Sequence, residues 1–287
     1  MRIISPPAAV GGGAVDIDTA YESFGNAAAK GTQIVSGAAH TKGAWTQLVA
    51  SGVDGAVGNH LTGFTITACE AGSSTTRGLM DIGVGDGDGG TTVLIPNISV
   101  MVGTVGVFSI AFDGLNLAAG QKLWARWQSQ GSGATIWVRG EGEIRTPAHP
   151  PGFAICELLA GGTANSVPNS VDLAFVAAPD TGWTTVAALP HDAGAFVVNL
   201  GLRANAGTSF SPQRAVLRLG YGGVGAGDAV KVHDSPVEVS GSGPYFRSLV
   251  ARTIRKALPA GTRIACEVYA GAAGDVAAPQ VWALRAA

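Results

Sequence analysis

Charge is scarce in this chain: Lys, Arg, Asp and Glu together make 13% of its 287 residues, against about a quarter in an ordinary soluble domain. The formal net charge is −2, so no bulk attraction to nucleic acid or to an anionic membrane is expected. Cysteine is rarer still, with Cys69, Cys156 and Cys266 far apart and odd in number. That excludes a disulfide framework and a Cys-based zinc site, and reads as three buried free thiols in a reducing compartment. His40, His60, His149, His191 and His233 are scattered, so no metal site is expected. Neither HExxH, a Gly-x-Ser-x-Gly elbow nor a Walker loop occurs, so the expectation is a chain without cofactor that is not an enzyme. The N-terminus, MRIISPPAAV, has no apolar core of signal-peptide length, from which folding in a cytoplasm is expected. From Thr91 to Phe112 no residue is charged, a run long enough to cross a bilayer. Pro96, Asn97, Gly103, Gly106 and its many β-branched residues instead indicate two buried strands joined by a turn, without membrane insertion.

What the chain does have is glycine, 43 residues of it, within a composition that is 46% hydrophobic. Few charges with much Gly, Thr, Val and Ile favour short strands and tight turns over helices. It also has a repeat. Arg77-Gly78-Leu79-Met80-Asp81-Ile82-Gly83-Val84-Gly85 returns as Arg214-Ala215-Val216-Leu217-Arg218-Leu219-Gly220-Tyr221-Gly222, an offset of 214 − 77 = 137. Gly43-Ala44-Trp45-Thr46 matches Thr181-Gly182-Trp183-Thr184 at 183 − 45 = 138, and Leu117-Ala118-Ala119-Gly120 matches Leu258-Pro259-Ala260-Gly261 at 261 − 120 = 141. Ile136-Trp137 matches Val281-Trp282 at 282 − 137 = 145. Ordered matches with a smoothly growing offset mark a tandem duplication whose loops later lengthened.

The expected fold is therefore all-β: two tandem β-sandwich or jelly-roll domains, 32–146 and 171–287, with alternating runs broken by Gly, Pro and Asn. Residues 147–170, opening with Pro147, Pro150 and Pro151, read as a stiff linker. Residues 1–31 read as a separate arm, with Pro6-Pro7 and Gly11-Gly12-Gly13 as loose joints. Thr19 and Glu22 there form a capping box that predicts a short helix carrying Ala20, Phe24, Ala27 and Ala28 on one face. Such an arm suits docking to a partner; a disordered tail is the alternative.

The duplication orients one strand. Leu123, Ala125 and Trp127 align with Ile264, Cys266 and Val268, apolar in both copies, and so point inward. Trp124, Arg126 and Gln128 then share the outer face, answered in copy two by Ala265, Glu267 and Tyr269. An indole flanked by hydrogen-bonding side chains suits the faces and hydroxyls of a sugar, which makes Trp124, Arg126, Gln128 and Tyr269 candidate carbohydrate contacts. The competing reading is packing against a neighbouring subunit, the linker or the other domain. Trp45, Trp183, Trp137 and Trp282 recur and suggest a shared packing role. Arg247, Arg252, Arg255 and Lys256, followed by Arg263, are candidate contacts for a polyanion or acidic partner, or simply a solvated face. Arg139, Glu141, Glu143 and Arg145 alternate in sign; a glycosidase carboxylate pair is conceivable, but an exposed salt-bridge ladder is simpler. Asp81, Asp86 and Asp88 hint at a calcium loop but lack EF-hand spacing. Gly83-Val84-Gly85 is half a dinucleotide fingerprint with no helix pattern after it.

Trp45-Thr46-x-Leu48, then Arg77…Asp81-Ile82-Gly83-Val84-Gly85, Leu94-Ile95-Pro96-Asn97-Ile98 and Ala119-Gly120-Gln121-Lys122-Leu123-Trp124-Ala125-Arg126 together resemble a module of tailed-phage virion proteins that also occurs in gene transfer agents. Copy two keeps Leu258-Pro259-Ala260-Gly261-Thr262-Arg263-Ile264-Ala265 but loses the Asp and the Pro-Asn. The resemblance covers both repeats. It implies a virion-surface spike or fibre protein, assembled in the host cytoplasm, probing host surface polysaccharide. It also implies a homo-oligomer, held to other virion proteins of the capsid or tail by the N-terminal arm. A purely structural virion component is the alternative, and a capsule-degrading enzyme on the same scaffold a third.

Overall fold

The computed structural model describes residues 20–25, 31–48, 61–69, 76–87, 89–102, 107–118, 120–144, 152–160, 173–202, 213–222, 229–239, 253–270 and 276–286. Among them there is no helix, and eighteen strands follow one another. The first nine are β1 (Ala20–Phe24), β2 (Thr32–Val35), β3 (Thr46–Gln47), β4 (Leu61–Cys69), β5 (Thr76–Val84), β6 (Thr92–Val102), β7 (Val107–Leu117), β8 (Leu123–Ser129) and β9 (Thr135–Ile144). The second nine are β10 (Ile155–Ala160), β11 (Leu173–Val176), β12 (Thr184–Ala188), β13 (Ala193–Leu202), β14 (Gln213–Tyr221), β15 (Val230–Val239), β16 (Thr253–Leu258), β17 (Arg263–Ala270) and β18 (Val276–Arg285). The uncharged run does become two strands, β6 and β7. Among the described residues no helix is long and apolar enough to cross a membrane.

Copy one is a sandwich of two sheets. One runs β1-β9-β4-β7, with β2 also on β9, and the other runs β3-β8-β5-β6. Adding nine to every strand number gives copy two: β10-β18-β13-β16 opposite β12-β17-β14-β15, with β11 on β18. There β11 also pairs in parallel with β17, Phe175 opposite Val268. That stitches the two layers of copy two into one nine-stranded sheet.

The duplication reaches further than the sequence motifs suggested. The expected helix after Thr19 is instead β1, antiparallel to β9 with Ala20 opposite Ile144 and Phe24 opposite Gly140. Phe24 is buried, and a Cβ on Gly140 would overlap its ring, so the glycine makes room for it. A local capping pattern is worth about 1 kcal/mol; a strand's worth of ladder bonds plus a buried Phe outweighs it. Likewise the segment read as a linker contains β10, which pairs with β18 with Ile155 opposite Arg285. Residues 20–24 therefore belong to the first sandwich and 155–160 to the second, as equivalent strands. Of the arm's remaining residues, 1–19 and 26–30 lie outside the described residues, and with them Ala27 and Ala28 of the expected helix face.

Inward residues follow the expected alternation. Met80, Ile82, Leu123, Ala125 and Trp127 lie in one core and Leu217, Leu219, Ile264, Cys266 and Val268 in the other. The first core, however, also holds Cys156, Ala195, Val197, Trp282 and Leu284 from copy two. The opposite side of the same strands, at Phe196, Val198, Val281 and Ala283, belongs to the second core. Copy two's β10-β18-β13 sheet is thus buried on both faces, and it completes copy one. None of the three cysteines forms a disulfide; Cys156 and Cys266 are buried, but Cys69 is only half-buried. Burial pushes the Cys266 thiol up to about 12 and raises that of Cys156 as well.

Candidate functional site

The four-stranded sheet of copy one presents an outer face on which β8 places Trp124 and Arg126. Opposite them β3 sets Gln47 against Trp124, and β5 sets Gly83 against Trp124 and Asp81 against Arg126. A Cβ on Gly83 would come within 2.7 Å of the Trp45 ring, so that indole lies against the glycine. Gly87, at φ +115°, would bring a Cβ to 3.3 Å from the ring of Trp124, whose indole N–H donates to the Gly85 carbonyl at 2.6 Å. The glycine-rich run is thus a floor for two tryptophans. Both rings are half-buried.

Beside Trp45 sits a compact charge cluster. Asp81 is buried and accepts from Lys42 Nζ at 2.8 Å, Arg126 Nε at 3.0 Å and the Asn97 backbone N–H at 2.8 Å. Asn97 occupies the left-handed region at φ 54°, which Asn tolerates better than most residues. It lies in a bulge, where the register steps from Met80 opposite Ile98 to Ile82 opposite Ile95. The Asp of one motif and the Pro-Asn of the other are therefore a single device: Asp81 secures the bulged amide. Copy two, lacking the Asp, lacks the Pro-Asn too. Arg126 stacks 4.4 Å from the centroid of Trp45. Desolvation brings the Lys42 ammonium down to about 8, with the Asp81 carboxylate only partly offsetting it.

Copy two rebuilds this cluster with every charge reversed. Register places Arg218 where Asp81 stands and Glu267 where Arg126 stands; the Trp motif places Asp180 at the position of Lys42. Arg218 donates to Glu267 at 2.8 Å, Asp180 at 2.9 Å and Asp234 at 3.0 Å. Glu267, fully buried, also accepts the backbone N–H groups of Asp180, Thr181 and Gly182. Burial opposes the Arg218 charge, but these three hydrogen-bonded carboxylates outweigh it and raise its pKa. Asp180 is held below the usual carboxylate range by the Trp183 indole N–H and then by Arg218. The guanidinium lies 5.2 Å from the Trp183 centroid and 5.8 Å from that of Tyr269. Trp183 lies over Gly220 as Trp45 lies over Gly83, but it is buried.

The candidate contacts separate accordingly. Trp124 and Arg126 do lie together on an open face. Gln128, though on that face, is buried at 4% exposure and is not presented to a ligand. Tyr269 belongs to the Arg218 cluster of the other copy and does not join them. Arg255 and Lys256 are adjacent strand residues: Arg255 is exposed, while Lys256 reaches over the Tyr221 ring at 5.3 Å. Arg247 and Arg252 lie outside the described residues. Of the calcium-loop candidates, Asp81 is held by Lys42 and Arg126, Asp86 lies 3.5 Å from Lys122, and Asp88 lies outside the described residues. Among the described residues no group of three or more metal-ligating side chains is gathered. Arg139 pairs with Glu141 at 3.0 Å on an exposed strand, as a ladder would. Sequence reasoning missed Trp45 as a surface residue. Its recurrence was read as shared packing, and only the differing exposure of Trp45 and Trp183 separates the two.

No protein-family model and no curated protein matches the chain. Among solved structures it is similar to PNGF-II, with 10% identity and a TM-score of 0.41 over 93% of this chain. The chain spans 65% of that protein's length. It is also similar to the CBM22-1–CBM22-2 tandem domain of Paenibacillus barcinonensis Xyn10C, with 11% identity, a TM-score of 0.25, and coverage of 96% of this chain and all of that one. A third is PNGase F, a glycosylasparaginase from Flavobacterium meningosepticum, with 9% identity and a TM-score of 0.28, covering 89% of this chain and 96% of that one. The presence of enzymes in this set corrects the expectation that the chain is not an enzyme: missing short motifs are no ground for excluding catalysis. At 9–11% identity the likeness assigns no activity.

Proposed function

We propose that this chain is a surface component of a tailed-phage or gene-transfer-agent particle and engages polysaccharide through the Trp45–Trp124 face of its first sandwich. One observation carries the sugar-binding reading. Two half-buried indoles share one open sheet face beside Arg126 and Lys42, whereas copy two has a buried Trp183 and a buried Ala265 at the equivalent places. Flat aromatic surface flanked by charge-assisted donors suits pyranose rings and their hydroxyls or carboxylates. The virion context rests on the motif order through both repeats.

The test is titration calorimetry against purified host capsular polysaccharide. Trp124→Ala with Arg126→Ala should weaken binding by about tenfold or more, the equivalent of 1.4 kcal/mol, in a variant that far-ultraviolet circular dichroism shows to be folded. Unchanged affinity would remove the site from this face. Reducing-end release from the same polysaccharide, assayed alongside, reports hydrolysis separately. The reading as a structural virion component is favoured by the shared core, which fixes the two sandwiches as one spacer. Deleting residues 1–19, which spares β1, should then abolish incorporation into particles; normal incorporation would oppose it.

A further inference from the structure

The two copies are joined by a plug and a socket. The plug is the outer face of the β10-β18-β13-β16 sheet, carrying Cys156, Leu158, Ala195, Val197, Trp282 and Leu284. The socket is the side of copy one bounded by edge strands β6 and β7. Trp282 meets Phe112 edge-on at 5.8 Å and donates to the Pro96 carbonyl at 2.9 Å. Gln280 accepts from Ser99 N–H at 2.9 Å and donates to the Asn97 carbonyl at 2.6 Å, while Asp113 N–H donates to Thr253 Oγ1 at 2.7 Å.

Because the copies share one topology, each half of this joint exists twice. Copy one has its own plug face on β1-β9-β4-β7: Trp137 stands where Trp282 does, Arg139 where Leu284 does, and Thr67 where Ala195 does, by register. Glu141 and Glu143 continue it. Copy two has its own socket between β15 and β16, a cleft of about 540 Å³ lined by Tyr221, Lys231, Val232, His233, Ile254 and Lys256, among others. No described part of the chain fills it. The plug of copy one ends in two carboxylates, Glu141, ion-paired with Arg139 at 3.0 Å, and Glu143, both past the positions that Trp282 and Leu284 hold in copy two. The socket of copy two adds cations: Lys231 on β15 and Lys256 on β16. Asp234, held by Lys231 and Arg218, lies on β15 beside them, and Glu238 follows further along the same strand.

We infer that a second copy of this chain docks here, the Trp137–Glu141–Glu143 face of one molecule entering the basic β15–β16 cleft of the next and continuing the internal joint between molecules. The contact is heterologous, so it propagates head to tail and either closes a ring or grows a filament. The internal joint is apolar apart from its hydrogen bonds and carries no charged pair at Trp282 and Gln280, whereas the external one is charged, as suits separately folded chains that must meet in solution.

Sedimentation velocity over a concentration series tests this with the full chain. Wild type should associate at low ionic strength and dissociate in high salt. Glu141→Lys with Glu143→Lys, and independently Trp137→Asp, should each weaken association more than about tenfold, since like charges or a buried carboxylate now meet the contact. Lys231→Glu with Lys256→Glu should do the same from the other side. A mixture of Trp137→Asp with the socket variant retains one intact joint per pair and should form a dimer and nothing larger. Far-ultraviolet circular dichroism confirms that each variant is folded, and two independent plug variants guard against a local folding defect. A wild-type chain that stays monomeric at low salt overturns the proposal, as does self-association that survives these variants. So does a mixture that stays monomeric or grows beyond a dimer.

Discussion

The two copies share a backbone plan strand for strand, yet they oppose each other in charge and in the use of one sheet face. Lys42–Asp81–Arg126 in copy one is Asp180–Arg218–Glu267 in copy two. The outer face of β9 reads Trp137, Arg139, Glu141 and Glu143, while that of β18 reads Gln280, Trp282 and Leu284. What duplication kept is the steric device: a Trp laid over a Gly, with a cation stacked upon it. What it did not keep is the sign of any single charge, because a buried ion cluster needs only that its charges alternate and its hydrogen bonds close.

The comparison is broken most severely at the shared face. Trp282→Ala removes a fully buried indole from the joint and should cost about 3–5 kcal/mol in urea unfolding. Trp137→Ala, at the equivalent but half-buried position, should cost well under half of that. Equal losses would mean that the joint contributes nothing to the first core. Next come the inverted clusters. Glu267→Ala strands three backbone N–H groups and a buried guanidinium, an expected loss of about 3–5 kcal/mol. Arg126→Ala removes a side chain that is 31% exposed and should cost about 1 kcal/mol. A reversed order would show that exposure, not sign, is the wrong variable.

The smallest effect concerns pH. The Lys42 ammonium releases its proton at about 8 in the folded chain, against 10.5 for an ordinary lysine. Between those values the unfolded chain holds a proton that the folded one has lost. Stability owed to Lys42 therefore rises as pH rises through that window. Unfolding free energies of wild type and Lys42→Met, compared at its two ends, should shift in favour of wild type at the alkaline end. A constant gap would show an ammonium as well solvated in the fold as outside it.

The strand faces were legible wherever alternation was clean. Leu123, Ala125 and Trp127 pointed inward because period two leaves one choice once the aligned residues of both copies are apolar. The doubly buried strands carried a signal that alternation does not read: Val281-Trp282-Ala283-Leu284 has no polar position, the mark of a strand covered on both sides. Residues 20–24 were misread because a capping box is visible within four residues, whereas the β9 edge that captures them lies more than a hundred residues away. Of the candidate site, Trp124 and Arg126 were legible from their strand, Gln128 was placed on the right face but at a covered end, and Trp45 was hidden by its own recurrence.

By itself, then, the sequence determined the all-β class, the duplication and the inward side of each well-patterned strand. These follow from local period and from self-comparison, which need no distant partner. Only the tertiary structure decided that β1 and β10 belong to the sandwiches, that Trp282 closes a core belonging to the other copy, and that the Asp81 cluster has an inverted twin. Each of those depends on which sheet lies against which, and strand pairing across a hundred residues is set by burial that no local window contains.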